Sequence, residues 1–449
     1  MMLKASLAPE AGALSEPVVE SRTPAADRGG WRRTLMLAMM TLIYALNYLD
    51  RQVVVILQEP IKADYKLLDW QLGLLTGASI SLLYTAMSIP IARWVDRGLH
   101  RVRLIATITA LWSILTAACG LTRSFGQFIV ARMGVGMAEA GFTPAAHSLL
   151  SDLYPVRKRP WAMGIFSLGI SIGIMTGMAV GGFVAQRYDW RTALMVVGLP
   201  GIVVAAAFAL LAREPARGES EVGTAVVDKV EPMKFGVAVK ALWRRPAYVH
   251  VVLGSAAASF ASTAIFSWVP SLLIRVHGMS LAEVGLGLGL LSGLSGLIGT
   301  SLGGWQAARF GARGLHAMLW APIGGLALSI PLFIAAFYAS SGQATLITMF
   351  APLVLVALWT APSIALTQSL APLAARATAS AVYIVTANVL GVALGPIVIG
   401  LLSDIFTRST GNTGTGLRWA LTVAALIFAW SILHWSLALR ALKRMPAAA

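Results

Sequence analysis

Cysteine is almost missing from this chain: Cys119 is the only one in 449 residues. No intrachain disulfide and no thiolate cluster can form. Charge is scarce as well, since Asp, Glu, Lys and Arg make up 12% of the residues, about half the ~25% usual in soluble domains. Acids are the rarer sign, 19 against 35 bases, leaving a formal net charge of +16. No GxxxxGK[ST] phosphate loop, HExxH pair or Cys/His set occurs, so ATP drive, a metal site and a bound cofactor are not expected. No catalytic triad can be assembled, and an enzyme is disfavoured. Nucleic acid is disfavoured too, because the bases sit in short segments between apolar runs and not on one soluble face.

What the chain has is apolar residues, 57% of the total with 43 glycines besides, and a mean hydropathy of +0.75. A soluble fold has no interior large enough for that share, so the composition predicts an all-α polytopic membrane protein. Twelve runs are long enough to cross a bilayer. Six lie at roughly 34–57, 70–93, 101–122, 126–152, 160–186 and 191–212, and six at roughly 247–274, 281–307, 313–338, 343–369, 377–406 and 418–440. The expected domains are a disordered tail (1–32), a six-helix bundle (33–212), a polar linker (213–246), a second six-helix bundle (247–440) and a short tail (441–449). The linker segment from Lys234 to Arg244 interleaves basic and apolar residues, as a stretch lying on a membrane surface does.

Lys and Arg fix the expected orientation. With the N-terminus inside, 25 of the 35 fall in inner segments and eight (Lys62, Lys66, Arg123, Arg187, Arg191, Arg275, Arg408 and Arg418) in outer ones. Arg51 and Arg132 lie within spans. This asymmetry predicts that both termini are cytoplasmic. Abundant Ala, and Arg in excess of Lys, fit a bacterial inner membrane protein.

The two halves repeat one another. Ala92-Arg93-Trp94-Val95-Asp96-Arg97-Gly98 follows the second run, and Gly304-Trp305-Gln306-Ala307-Ala308-Arg309-Phe310-Gly311 follows the eighth. Gly173, Gly177 and Gly181 recur every fourth residue in the fifth run, as do Gly391 and Gly395 in the eleventh. Such spacing lets helix backbones approach closely.

Ala92–Arg101 resembles the G-x-x-x-D-R-x-G-R-R loop of the major facilitator superfamily of secondary transporters. Asp96, Arg97 and Arg101 match, while Ala92, Leu99 and His100 depart. Arg132-Met-Gly134-Val-Gly136 resembles the same family's Arg-containing fourth-helix motif. Met178 stands where its drug antiporters usually carry Pro, which argues against drug efflux. Asn47-Tyr48-Leu49-Asp50-Arg51, Gly136-Met-Ala-Glu139-Ala-Gly141 and Trp268-Val-Pro270 resemble the spinster branch. The resemblance spans about 34–440 and implies a twelve-helix, two-bundle major facilitator fold. It also implies alternating access and an amphiphilic anionic cargo, such as a lysophospholipid or a sphingolipid-like molecule. The N-Y-x-D-R signature is shared with the anion:cation symporter branch, so proton-coupled symport of a small organic anion is the alternative. A monomer working on protons, cargo and surrounding lipid is expected.

Ionisable residues inside a bilayer are costly and are functional candidates. Asp50 lies ~24 Å along the first helix and Arg132 ~9 Å into the fourth, which places both in the outer half. Glu139 follows Arg132 by seven residues, on the same face. In the family resembled, the first and fourth helices adjoin. Asp50, Arg132 and Glu139 are therefore expected to form either a proton-responsive network, in which Asp50 pairs with Arg132 and protonation frees Arg132 to exchange partners, or a static salt bridge that holds the first and fourth helices together. Thr41, Tyr44, Tyr48 and Arg51 form one stripe that should line a wet cavity, with Arg51 either facing an anionic headgroup or serving as a partner for Asp50 or an outer-gate contact. Trp268, Thr360 and Tyr383 are the expected second-half wall, in stretches (about 250–270, 345–368 and 380–400) that carry no Asp, Glu, Lys or Arg. Asp96, Arg97 and Arg101 resemble the family's inner latch between the halves.

Overall fold

The computed structural model describes residues 30–217 and 233–444. The predicted tails outside 30–444, and linker residues 218–232, lie outside the described residues. Twelve membrane helices are present among the described residues, with no strand. Six precede the linker: α1 Gly30–Ile56, α2 Asp69–Asp96, α3 Arg101–Cys119, α4 the broken pair Phe125–Glu139 and Phe142–Leu153, α5 Arg159–Arg187 and α6 Trp190–Leu211; α7, Pro246–His277, follows it. The remaining five are α8 Leu281–Gly311, α9 Leu315–Phe337, α10 Gly342–Ser369, α11 Leu373–Thr410 and α12 Thr413–Lys443. A short helix, Gln58–Tyr65, bends away from α1 by 54°. The second half begins at Pro246, one residue before expectation, and α12 runs three residues past it. Within the linker, Phe235–Trp243 is helical; it buries Ala238 and Leu242 and exposes Phe235, Val237 and Trp243.

The local chemistry explains where helices begin. Gly30 and Arg444 share one face of the bundle, called here the terminal face. At the opposite, distal face, Ser124, Asp189, Ser280, Ser341 and Asn412 cap the starts of α4, α6, α8, α10 and α12 by accepting an amide three residues on. Such caps satisfy amides that the first helical turn leaves free. The left-handed Gly278 and Gly411 close α7 and α11 there.

Small residues decide which helices touch. On α5 a Cβ at Gly173 would meet Tyr48 Cβ of α1 at 2.7 Å, and one at Gly177 would meet the Leu49 carbonyl oxygen at 2.8 Å. Only glycine permits that approach. The expected glycine stripe is thus helix packing between α1 and α5.

The halves meet along α5–α8 and α2–α11, and they do so toward the distal face. Gly73 abuts Pro396 and Ile397, Gly77 abuts Val392 and Ala393, and Gly182 abuts Leu281 and Gly285. Both α2 and α11 carry a π-helical turn at this contact, Leu74–Ala78 and Ala387–Ala393. Such turns widen a helix locally and concentrate at functional regions. Toward the terminal face the halves diverge: Gly164, Gly296 and Gly304 have no neighbour at Cβ distance, and Trp94, Trp161 and Trp305 are exposed. The molecule is closed distally and open on the terminal face.

Candidate functional site

Between the halves lies a cavity of about 410 Å³, within the usual size range of small-molecule sites, roughly 300–1,000 Å³. The first half contributes Tyr48, Arg51, Gln52, Thr76 and Ser81, and the second Ser262, Thr263, Phe266, Phe333, Leu353 and Val356. Arg51 is the one charged group among these described lining residues. The wall is therefore cationic and polar on one side and largely apolar on the other.

Consecutive residues of α1 diverge because each step turns the helix by about 100°. Arg51 points into the cavity, its guanidinium 4.8 Å from the Tyr84 ring centre and 5.6 Å from that of Tyr48. Both rings offer it cation–π attraction. Its Nε donates to Glu139 Oε2 at 2.8 Å, and Nη2 lies 2.7 Å from the same oxygen. Asp50 turns away from the cavity toward α3, where Thr116 Oγ1 donates to its Oδ2 at 3.2 Å.

Arg132 and Glu139 are fully buried. Arg132 Nη1 donates to the main-chain oxygen of Asp50 at 3.2 Å, not to its carboxylate. Its Nε and Nη2, and Glu139 Oε1, have no hydrogen-bond partner among the described residues. The expected Asp50–Arg132 ion pair is thus replaced by an Arg51–Glu139 pair. The reason lies in the break of α4. The helix is interrupted after Glu139, and Gly136 sits against the α2 backbone, its Cβ position 2.8 Å from Ile80 Cα. This packing brings Glu139 to the cavity edge beside α1 and leaves Arg132 nearer the distal end among buried side chains.

Of the expected cavity residues, Tyr48 and Arg51 line it. Tyr44 lies one turn along α1, stacked on Phe166 with ring centres 4.5 Å apart, and is not among the lining residues. Trp268 is corrected: it is fully buried and donates Nε1 to the Pro396 carbonyl at 2.9 Å, inside the distal closure. Its neighbour Ser267 has the phase that reaches the cavity. Tyr383 is also buried, 7% exposed, and Thr360 is half-buried at the kink of α10; neither lines the cavity.

The three expected latch residues separate. Asp96 and Arg97 are exposed beside the open terminal mouth, with no side-chain partner among the described residues. Arg101 is fully buried. It contacts Asp152, and donates to Glu214 Oε1 at 2.6 Å, Ser148 at 3.0 Å and the Pro215 carbonyl at 3.1 Å. Every one of these partners belongs to the first half or the start of the linker. Arg101 fastens α3 to α4 and to the chain leaving α6.

A cluster that the sequence reading missed closes the distal face. Arg275 of α7 donates Nε to Glu59 at 3.0 Å and Nη1 to Asp69 at 2.7 Å. Lys62 also pairs with Asp69, and Ser403 donates to it at 2.7 Å. Asp404 of α11 accepts the main-chain amides of Asp69 and Trp70, both at 3.0 Å, at the first turn of α2. Gln58 Nε2 donates to the Ser267 carbonyl at 3.0 Å. The available signal was opposite charge at the distal ends of spans 1, 2, 7 and 11.

Residues 40–396 match the Major Facilitator Superfamily. The chain belongs to that superfamily. Within it, this facilitator is similar to an MFS-type efflux pump of Mycolicibacterium smegmatis, 32% identical over 94% of this chain and 96% of the relative. It is also similar to Protein spinster of Drosophila melanogaster, 28% identical over 87% of this chain and 65% of the relative. A crystal structure of a bacterial homolog of the human lysosomal transporter spinster, inward-facing and unoccupied, superposes with a TM-score of 0.82 at 29% identity, covering 93% of this chain and 99% of that one. These findings support the spinster branch and a membrane transporter, not an enzyme.

Proposed function

We propose that this facilitator carries an amphiphilic anionic lipid, of lysophospholipid or sphingolipid-like chemistry, by proton-linked alternating access. The two-sided cavity carries the reading: an anionic head fits Arg51 and its hydroxyl neighbours, and an alkyl chain fits Phe266, Phe333, Leu353 and Val356. A small hydrophilic acid would leave that apolar side unused. The positive-inside asymmetry makes the terminal face cytoplasmic, so the cavity opens toward the cytoplasm of a bacterial inner membrane protein acting as a monomer.

Glu139 is the proton-binding group in this reading. Its carboxylate neutralises Arg51. Protonation removes that partner and releases the guanidinium to an anion, so proton and cargo favour the same loaded state. Arg51, and not Arg132, is then the cation that changes partners. Asp50 holds α3 and, through its carbonyl, Arg132.

Reconstitution in proteoliposomes tests this. Glu139→Gln should bind and equilibrate lysolipid while losing acceleration by a pH gradient, and Asp50→Asn should slow transport at every pH. Unaltered rates and an unaltered pH profile in both variants would remove the proton reading. Uptake restricted to hydrophilic organic acids would remove the lipid reading and leave the symporter alternative.

A further inference from the structure

A second concavity, of about 370 Å³, opens on the terminal face of the first half, between the start of α3 and the end of α6. His100, Arg103, Arg213 and Glu214 surround it above a floor that includes Ala209 and Ala212. The proposed transport cycle does not use it.

Its charges do not cancel. Glu214 is committed elsewhere: Oε1 accepts from Arg101 Nε at 2.6 Å, and Oε2 accepts the Val102 amide at 2.8 Å and lies 3.2 Å from His100 Nδ1. Arg101 further contacts Asp152. Arg103 and Arg213 are exposed and have no acidic partner among the described residues. Two guanidiniums without an acidic partner among the described residues therefore flank one small pocket.

The position selects the kind of anion. Leu199, Val203 and Leu210 project from α6 at spacings of four and seven, 54%, 71% and 85% exposed. That stripe faces hydrocarbon and stops two residues before Ala212. The pocket thus sits at the level where lipid headgroups meet the helix ends. Guanidinium forks match phosphate oxygens in pairs, and basic pockets between helix ends at this level suit anionic headgroups.

We infer that this pocket binds the phosphodiester headgroup of an anionic phospholipid in the leaflet facing the terminal side, with Arg103 and Arg213 as its ligands. The site has a mechanical connection. Arg217, four residues beyond Arg213, donates to the carbonyls of Val95 at 2.5 Å and Leu99 at 3.4 Å. Those carbonyls belong to the turn that presents Asp96 and Arg97. A headgroup fixing Arg213 steadies that turn where the halves must meet when the terminal face closes. This inference concerns a lipid of the surrounding bilayer and stands whatever the cargo is.

Purified full-length protein titrated with phosphatidylglycerol, followed by native mass spectrometry and thermal unfolding, tests it. Phosphatidylglycerol should bind in preference to phosphatidylcholine. Arg103→Ala/Arg213→Ala should weaken phosphatidylglycerol about tenfold while leaving the lipid-free melting temperature in place, because both side chains are exposed. Arg103→Lys/Arg213→Lys should restore part of the binding, and Arg213→Gln alone should give an intermediate loss. Equal binding of the two lipids, or unchanged phosphatidylglycerol binding in the double alanine variant, would overturn the assignment. So would competition by inorganic phosphate at concentrations equal to the lipid's, which would assign the pocket to a soluble anion.

Discussion

Arg51 and Glu139 carry opposite risks if separated. Arg51 borders the cavity and keeps two aromatic faces when its acid is lost. Glu139 is fully buried, and its second oxygen already lacks a partner among the described residues. Removing the guanidinium strands a buried charge, a change that typically costs about 3–5 kcal/mol. Removing the carboxylate leaves a cation with access to water. Arg51→Ala should therefore destabilise the protein far more than Glu139→Gln, and adding Glu139→Gln to Arg51→Ala should recover much of the loss. A thermal-unfolding double-mutant cycle in detergent measures this. Equal destabilisation by the two single substitutions would mean that the pair contributes nothing beyond packing. The sequence shows that this region of the first half holds buried charge. It does not show who pairs with whom, because partner choice depends on a break in α4 that only packing reveals.

At the scale of elements, the α1–α5 contact runs over four glycines, Gly169, Gly173, Gly177 and Gly181. Gly173 has no room for a side chain, whereas Gly164, on the same helix near the open face, has nothing within Cβ reach. Gly173→Leu should abolish a monodisperse, folded preparation in fluorescence-detected size-exclusion chromatography, and Gly164→Leu should leave the profile unchanged. Similar losses at both positions would show that helix propensity, and not interhelical approach, sets the effect. Helix number and length were legible because hydrophobic runs report length directly. Rotation was legible only where polar residues mark a face, as Tyr48 and Arg51 do on α1. Helices α7, α10 and α11 carry no Asp, Glu, Lys or Arg over 250–270, 345–368 and 380–400, only scattered hydroxyls and amides, so their sequences mark no single polar face. Trp268, Tyr383 and Thr360 were therefore placed at the cavity on residue type alone, and the structure turns the first two into packing.

For the whole molecule, the question is what holds one face shut while the other is open. The repeat made the two-half organisation legible. The distal closure was not, since its acids and bases come from four spans whose ends touch only in three dimensions. Arg275 is its centre, with Glu59 and Asp69 as direct partners and Asp404 holding the adjacent first turn of α2. Those bonds exist only when the distal ends are together, so they act on the equilibrium between open states and not on folding within either half. Each 1.4 kcal/mol lost should shift that equilibrium about tenfold toward the distal-open form. Cys119 is buried and the only thiol, which permits a direct readout. In a Cys119→Ala background, Thr263→Cys places one thiol on the cavity wall. A membrane-impermeant maleimide added from the distal side should label it slowly, and about tenfold or more faster once Arg275→Ala is introduced. Arg275→Lys should fall between, because an ammonium cannot span Glu59 and Asp69 as a fork does. Unchanged distal labelling in Arg275→Ala would assign the closure to the glycine-lined contacts of α2 with α11 and α5 with α8, and reduce the ion cluster to a surface ornament of an already closed interface.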